Sequence, residues 1–327
     1  MGWNILLPQP IQKVGSDYLI EHGHNLIKGS GMETENVIHD IKGVDAMVVR
    51  LSKITREVFE AADQLKVVVR HGAGFDTVDL DAAKEFGVKV LYCPTANSMS
   101  VAETAVFYML YLSRNFTKVQ KRFVEDYYTA KLRTPKTMLE GKTVGIIGCG
   151  NVGSRVAQKC KDGFHMRVLA YDPYKPAKDF PEGVEVVRDI DRILKESDYV
   201  SLHVPKTKIT EGLIDKTALA KMKPTAFLIN TARGPIVNQD DLVDALNHQV
   251  IAGAGLDVMK EEPIPADNPL LQMDNVVIAP HIGAATVEAA NRASYQSAQG
   301  IEEVYEGKTP SWPVKKIDWD TAQTYND

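Results

Sequence analysis

Residues 142–160 read KTVGIIGCGNVGSRVAQKC, and this stretch decides the fold. A strand-like apolar run ends at Ile147, then Gly148, Gly150 and Gly153 form GxGxxG, and a helical run follows at once. A glycine-rich turn in that strand-to-helix context is the mark of a dinucleotide fold. Gly148 makes the tight turn, Gly150 admits a pyrophosphate to the backbone, and Gly153 lets helix approach strand. The helix N-terminus, with Asn151 and Val152 in its first turn, is the anion site. A second strand, RVLAYD, ends about two dozen residues later in Asp172, where a carboxylate would accept from the adenosine ribose hydroxyls. Asp172 would repel a 2′-phosphate, which favours NAD over NADP, and nearby Lys175 softens that preference.

Downstream, three apolar segments each end in a reactive polar residue: AFLINTARG at 226–234, IAGAGLDVMKEEP at 251–263 and NVVIAPHIG at 275–283. Parallel strands buried on both faces read as continuous apolar runs, and open α/β sheets bind ligands beyond their carboxyl ends. Arg233, Asp257, Glu262 and His281 are therefore placed to face one cleft. A guanidinium, a carboxylate and an imidazole are the parts that grip a carboxylate substrate and move a proton beside it. Taken singly, each has a duller reading, since an arginine after a strand is more often a surface ion pair. Their joint order is what points to chemistry.

Upstream, apolar runs at Ile5–Leu7, Asn25–Ile27, Ala46–Val49, Val67–Val69 and Val88–Tyr92 alternate with amphipathic segments, which predicts five β-α steps and a small parallel sheet. SMSVAETAVFYMLYLSRN reads as a long apolar helix capped by Ser98 or Ser100 and stopped near Asn115. The polar, aromatic-bearing segment 116–138 reads either as an arm that packs on another subunit or as an extended helix. The last helix, from Thr286 to Glu306, is expected to return to the first domain. The fold class is thus α/β with two doubly wound domains. A Rossmann domain at 99–285 is inserted into a substrate domain made of 1–98 and 286–327.

Composition excludes other classes. With 44% hydrophobic and 25% charged residues over 327, the chain is an ordinary globular sequence, long enough for two cores. The longest apolar run is too short to span a membrane, and MGWNILLPQP lacks the features of a secretory signal, so a cytoplasmic location is the default expectation. Cys93, Cys149 and Cys160 lack metal-ligand spacing, so no metal is expected. A net charge of -5 with interspersed signs gives no footprint for nucleic acid.

The ordered set GIIGCGNVG, YDP, SLHVP, INTARGPIV, GLDVMKEEP and APHIGAAT resembles the D-isomer-specific 2-hydroxyacid dehydrogenase family across nearly the whole chain. Within it, VVRLSKIT, VVVRHGAGFDTVDLDAA and CPTANSMSVAET look most like the catalytic core of D-3-phosphoglycerate dehydrogenases. The resemblance implies a flavodoxin-like substrate domain, NAD as cofactor and a homodimer. It makes Arg233 the ligand of the substrate carboxylate and 2-oxo group, His281 the acid/base and Glu262 its partner, chosen over Glu261 because the family's acid immediately precedes the proline at 263. His203, Val204, Pro205 and Asp257 match cofactor positions; Thr104 and the Thr231 backbone are weaker candidates, and Gly283 and Ala284 fit a close approach to the nicotinamide.

In Arg70-His71-Gly72-Ala73-Gly74 the backbone amides of Gly72, Ala73 and Gly74 are matched to the substrate carboxylate. Arg50 and Lys53, with Arg70 nearby, could form the basic pocket of a phosphoryl group, joined by Arg133 of a partner subunit. These bases could equally serve to solvate the surface. The substrate is then phosphohydroxypyruvate/3-phosphoglycerate, or alternatively hydroxypyruvate, glyoxylate or another 2-oxo acid. An NAD-sensing corepressor is a third reading, disfavoured by the lack of low-complexity arms. Lys136, Met138 and Pro235 depart from the family pattern. With the sequence ending at Asp327, a regulatory amino-acid-binding domain is not expected.

Overall fold

The computed structural model describes residues 2–315 and Thr324. Two compact units divide the chain, one from Met1–Met99 with Ala284–Ile317, the other around Ser100–Gly283.

The first unit carries β1 (Asn4–Leu7), β2 (Asn25–Lys28), β3 (Ala46–Val49), β4 (Val67–Arg70) and β5 (Lys89–Tyr92), in the order β2-β1-β3-β4-β5. All pairings are parallel, with Ile5 opposite Ala46 and Val49 opposite Arg70. This is the flavodoxin-like order. Because side chains alternate along a strand, β3 feeds two cores. Met47 and Val49 pack with Leu6, Val37, Val58, Phe59 and Val68 on one face. Ala46 and Val48 pack with Ile5, Leu19, Val69, Ala298 and Ile301 on the other. The second face is covered by the Val287–Tyr305 helix, capped by Thr286, whose side chain accepts from the Ala289 N–H. Gly15 lets the Lys13–Glu21 helix touch it, since a Cβ there would lie 2.5 Å from the Ser294 carbonyl oxygen.

The second unit has seven parallel strands: β6 (Thr143–Ile147), β7 (Arg167–Tyr171), β8 (Glu185–Val187), β9 (Tyr199–Leu202), β10 (Phe227–Asn230), β11 (Gly253–Leu256) and β12 (Val276–Ile278). Their order is β12-β11-β10-β9-β6-β7-β8, so the strand order reverses at β6, between β7 and β9. That reversal is the topological switch point at which doubly wound sheets hold their ligands. β6, β9 and β11 are buried at every residue, which accounts for the apolar runs read at β6 and β11.

Ala102, Ala105, Tyr108, Met109 and Leu112 of the Ser98–Ser113 helix pack against Val144 and Ile146. The helix stops where Asn115 turns left-handed at φ 53°. Segment 116–138 then forms two short helices, Phe116–Glu125 and Tyr127–Leu132. Lys136 has a local use: its ammonium donates to the carbonyls of Ala130, Lys131 and Thr134, satisfying the end of the second helix. Pro235 opens the 3₁₀ turn Gly234–Ile236, a first-turn position where a missing N–H costs nothing. One feature was not legible in the pattern. The helix after the glycine loop is α-helical over Asn151–Gln158 and continues as a π-helical turn, Lys159–Gly163.

Candidate active site

The strand register of the second unit lines up the candidate residues. Ile147, Leu202, Asn230, Leu256 and Ile278 are successive neighbours across β6, β9, β10, β11 and β12. The residues that follow them, Gly148, His203, Thr231 to Arg233, Asp257 and the turn to His281, therefore emerge along one edge of the sheet.

At the switch point, Gly148 has φ 89°, and a Cβ there would lie 2.6 Å from the His203 carbonyl oxygen. Its N–H donates to the Tyr171 carbonyl at 2.8 Å, and the His203 N–H donates to the Ile147 carbonyl at 2.7 Å, so the loops after β6, β7 and β9 meet at this glycine. A Cβ on Gly153 would lie 2.0 Å from the Gly148 oxygen, whereas Gly150 faces open space. Asp172 is tied to this loop: it accepts from the Cys149 N–H at 3.0 Å and the Tyr174 N–H at 3.1 Å. Lys175 reaches the same place, donating to the Cys149 carbonyl at 2.7 Å and to the Ser154 hydroxyl at 3.2 Å. His203 is held by Ser201, whose hydroxyl lies 2.8 Å from Nε2. Burial of the ring pushes its pKa down to about 3, so it is neutral. Val204 and Pro205 continue that turn.

The cradle fits a dinucleotide on two observations. The space beside Gly150 lies over a helix N-terminus with no side-chain cap. The Thr231 hydroxyl, at the end of β10, is buried without a hydrogen-bond partner among the described residues, an arrangement a bound ligand would relieve.

Arg233 is delivered by a side-chain turn. Asn230, 1% exposed, accepts from the Ala232 N–H at 3.0 Å and donates to the Arg233 carbonyl at 2.9 Å. Gly234 then closes on the next loop, where an added Cβ would stand 1.9 Å from the Met259 carbonyl oxygen. That loop carries Glu262. Its Oε1 accepts from the Met259 N–H at 2.9 Å and its Oε2 lies 2.9 Å from His281 Nδ1. Burial raises the Glu262 pKa, but the His281 hydrogen bond, the Met259 N–H and the charges of His281 and Arg233 outweigh it, leaving the carboxyl below its ordinary value. With an ionised, acceptor-only partner, Nδ1 is assigned the proton, and Nε2 has no partner among the described residues.

His281 sits at φ 54°, an uncommon conformation for a non-glycine residue and one that cost strain to hold. Asp257, 2% exposed, fixes it from below. Its carbonyl accepts the His281 N–H at 2.8 Å, and its carboxylate accepts the N–H groups of Ile282 at 3.0 Å and Gly283 at 2.8 Å. The Tyr108 hydroxyl lies 3.4 Å from the same carboxylate. Gly283 is required to be small, since a Cβ would meet Asp257 Oδ2 at 2.7 Å; Thr104 Oγ1 lies 3.6 Å from that point. Sequence reading missed Asn230, Ser201, Gly234 and Tyr108. An Asn at the end of an apolar run was a turn signal for the first; nothing local marked the others.

In the first unit, Arg70 ends β4 and His71 to Gly74 follow it. Gly72 has φ 144°, its N–H donates to the Arg70 carbonyl at 2.8 Å, and its own carbonyl accepts from the Cys93 N–H at 2.9 Å. The N–H groups of Ala73 and Gly74 have no partner among the described residues. Arg50 follows β3 and donates through Nη1 to the Pro10 carbonyl at 3.0 Å. Lys53 is exposed on the same loop. Ala284 belongs to this unit rather than to the one that holds Gly283.

Residues 106–283 match the family described as D-isomer specific 2-hydroxyacid dehydrogenase, NAD binding domain. The chain is 39% identical over 323 residues to D-3-phosphoglycerate dehydrogenase of Methanocaldococcus jannaschii, covering 96% of this chain and 61% of that protein. It is 38% identical over 303 residues to hydroxypyruvate reductase of Thermotoga maritima, covering 91% and 97%. The apo structure of D-lactate dehydrogenase from Escherichia coli aligns with a TM-score of 0.81 at 29% identity, over 95% of this chain and 99% of that one. The chain thus spans about three-fifths of the length of the phosphoglycerate dehydrogenase it matches.

Proposed function

The chain belongs to the D-isomer-specific 2-hydroxyacid dehydrogenase family, and from that premise we propose that it interconverts a 2-oxo acid and its D-2-hydroxy acid with NAD, using Arg233, Glu262 and His281 as catalytic residues. The observation that carries this reading is the 2.9 Å His281–Glu262 pair, held on a loop that Gly234 presses against the Arg233 turn. NAD, when bound, supplies or takes the hydride at C2. Gly148, Gly150, Asn151, Val152, Gly153 and Asp172 would hold its adenosine and pyrophosphate, with His203, Val204, Pro205, Thr231 and Thr104 along the remaining edge.

The chain's own groups do the rest. The Arg233 guanidinium is a planar fork that takes a carboxylate oxygen and the 2-oxo oxygen together, fixing the acid and polarising its carbonyl. His281 Nε2 gives its proton to the oxygen at C2 in reduction and takes it back in oxidation. Glu262 holds the ring by Nδ1 and balances the imidazolium charge. Ala73 and Gly74 offer the carboxylate two amides that have no partner among the described residues.

For the substrate, the reading best supported is a phosphorylated three-carbon acid, 3-phosphoglycerate/phosphohydroxypyruvate. Arg50 and Arg70 lie close enough to one ring, that of His71, for both charges to act on it, and Arg50 uses Nη1 alone on the protein among the described residues. Leu51, 69% exposed next to Arg50, favours the second reading, an unphosphorylated acid such as hydroxypyruvate or glyoxylate. The exposed Phe123, Val124, Tyr127, Tyr128 and Leu132 support a homodimer contact on segment 116–138.

NADH oxidation against a panel of 2-oxo acids, with Arg233→Ala as control, tests the reaction. Arg50→Ala separates the substrates: a KM raised for phosphohydroxypyruvate alone supports the phosphorylated acid, and an unchanged KM rejects it.

A further inference from the structure

We infer that His71 is a positioning residue, a neutral tether that sets the loop whose Ala73 and Gly74 amides receive the substrate carboxylate. The inference rests on the proposed dehydrogenase reading and extends it to a residue that touches neither substrate nor cofactor.

His71 leaves the end of β4 with its N–H donated to the Val49 carbonyl of β3 at 2.9 Å. Its ring turns inward, and Nε2 lies 2.8 Å from the hydroxyl of Ser294, a fully buried residue of the Val287–Tyr305 helix. The same hydroxyl accepts the Gln12 N–H at 2.9 Å. With that acceptance made, the Ser294 proton is free to point at Nε2, so the ring accepts there and carries its own proton on Nδ1. Burial first, then the Arg50 charge, push the His71 pKa down to about 4, with Arg70 adding to the effect against the favourable carbonyls of His71 itself and Ala290. The ring is therefore a fixed hydrogen-bond partner near neutral pH and takes no part in proton transfer.

The tether acts on a loop with its carbonyls turned inward. The Arg70 guanidinium donates to the His71 carbonyl, and the Gly72 carbonyl is taken by the Cys93 N–H. The next two amides, of Ala73 and Gly74, are left without partners among the described residues. Orientation of that pair depends on where residue 71 is pinned. A main-chain pocket gains from such fixing because its donors need not be ordered when the anion arrives.

The test uses His71→Leu, His71→Gln, Ser294→Ala and the double variant His71→Leu/Ser294→Ala. His71→Leu is expected to raise KM for the 2-oxo acid about tenfold, the scale of one buried hydrogen bond, with kcat and the NADH Kd from fluorescence titration little changed. His71→Gln should recover a good part of the loss, since its amide can still meet the Ser294 hydroxyl. The double variant should be no worse than either single, as for two halves of one bond. An unchanged KM in His71→Leu, or effects of the two singles that multiply, overturns the inference. Hydrogen exchange at the Gly72 and Cys93 amides, which close the loop, gives a readout independent of turnover. It should quicken in His71→Leu; unaltered exchange overturns the tether. Should the wild type reduce no 2-oxo acid, the dehydrogenase reading is what fails, and exchange still decides the role of His71.

Discussion

Gly234 and Met259 are in backbone contact: the position of a Cβ on Gly234 is 1.9 Å from the Met259 carbonyl oxygen and 2.5 Å from the Lys260 nitrogen. The obstacle is main chain, which cannot swing aside as a side-chain tip would. Gly234→Ala must therefore separate the Arg233 turn from the loop that carries Glu262. We expect kcat/KM to fall by about 10²-fold or more, since an ångström of misplacement at a catalytic centre costs that much. Overpacking should cost about 1–3 kcal/mol of stability as well. Steady-state kinetics and thermal melting check both; near-normal activity would show that the two loops need not touch.

The carboxylate of Glu262 has two donors to satisfy, the Met259 N–H and His281 Nδ1. A glutamine has one acceptor oxygen and cannot serve both. Glu262→Gln should thus lower kcat about 10²-fold at neutral pH, within the range for losing support of a general acid/base. Because the Glu262 pKa lies below its ordinary value, the carboxylate is already ionised above pH 5 and stays so to pH 8. Titration of Glu262 should accordingly contribute nothing to the pH–rate profile in that window. The measurement is kcat against pH for both proteins; an activity of Glu262→Gln equal to the wild type would remove Glu262 from the mechanism.

The glycines of the loop after β6 separate folding from binding. Gly148 has φ 89° with the His203 carbonyl at 2.6 Å from a Cβ, so Gly148→Ala meets both strain and collision. It should unfold at clearly lower temperature, with a cost of about 1–3 kcal/mol or more. Gly150 has nothing within 4 Å of a Cβ. Gly150→Ala should melt like the wild type and yet bind NADH at least tenfold more weakly, because the methyl group occupies the space of the pyrophosphate. Melting curves and fluorescence titrations of the two variants distinguish these outcomes. Tight NADH binding by Gly150→Ala would place the pyrophosphate elsewhere.

What could be read from sequence divides along a physical line. Strand edges and their terminal residues were legible because burial on both faces imposes apolar runs, as in β10 and β11, and because GxGxxG must follow a strand to have meaning. Arg233, Glu262 and His281 stood out as polar residues at the ends of such runs. The groups that hold them were not legible. Ser201 fixes His203, and Tyr108 reaches Asp257 from a helix nearly 150 residues away in the chain, at 3.4 Å. These partners are set by strand order and helix packing, which no local pattern encodes. Gly234 was passed over for a related reason: its φ is ordinary, and its need to be small comes entirely from a neighbouring loop.

Two part-buried histidines, His203 and His71, make the fold sensitive to acid. His203 is pushed down to about 3 by burial, and His71 to about 4 by burial and then by the Arg50 charge. The unfolded chain binds these protons near pH 6.5. Above that pH both states carry neutral rings and the histidines are silent. As pH falls below 6.5, the unfolded state takes up protons that the folded state refuses, so stability declines, and the decline from each ring ends once pH has passed its folded value. The slope is up to about 1.4 kcal/mol per pH unit for each ring. Equilibrium unfolding in urea at several values between pH 6 and 4.5 should show proton uptake on unfolding from these two groups in addition to the carboxylates. His203→Gln should lower that uptake by about one proton in this window, whatever it does to stability at neutral pH. An unchanged slope would mean that the fold does not exclude the proton from the His203 ring and would overturn the expectation.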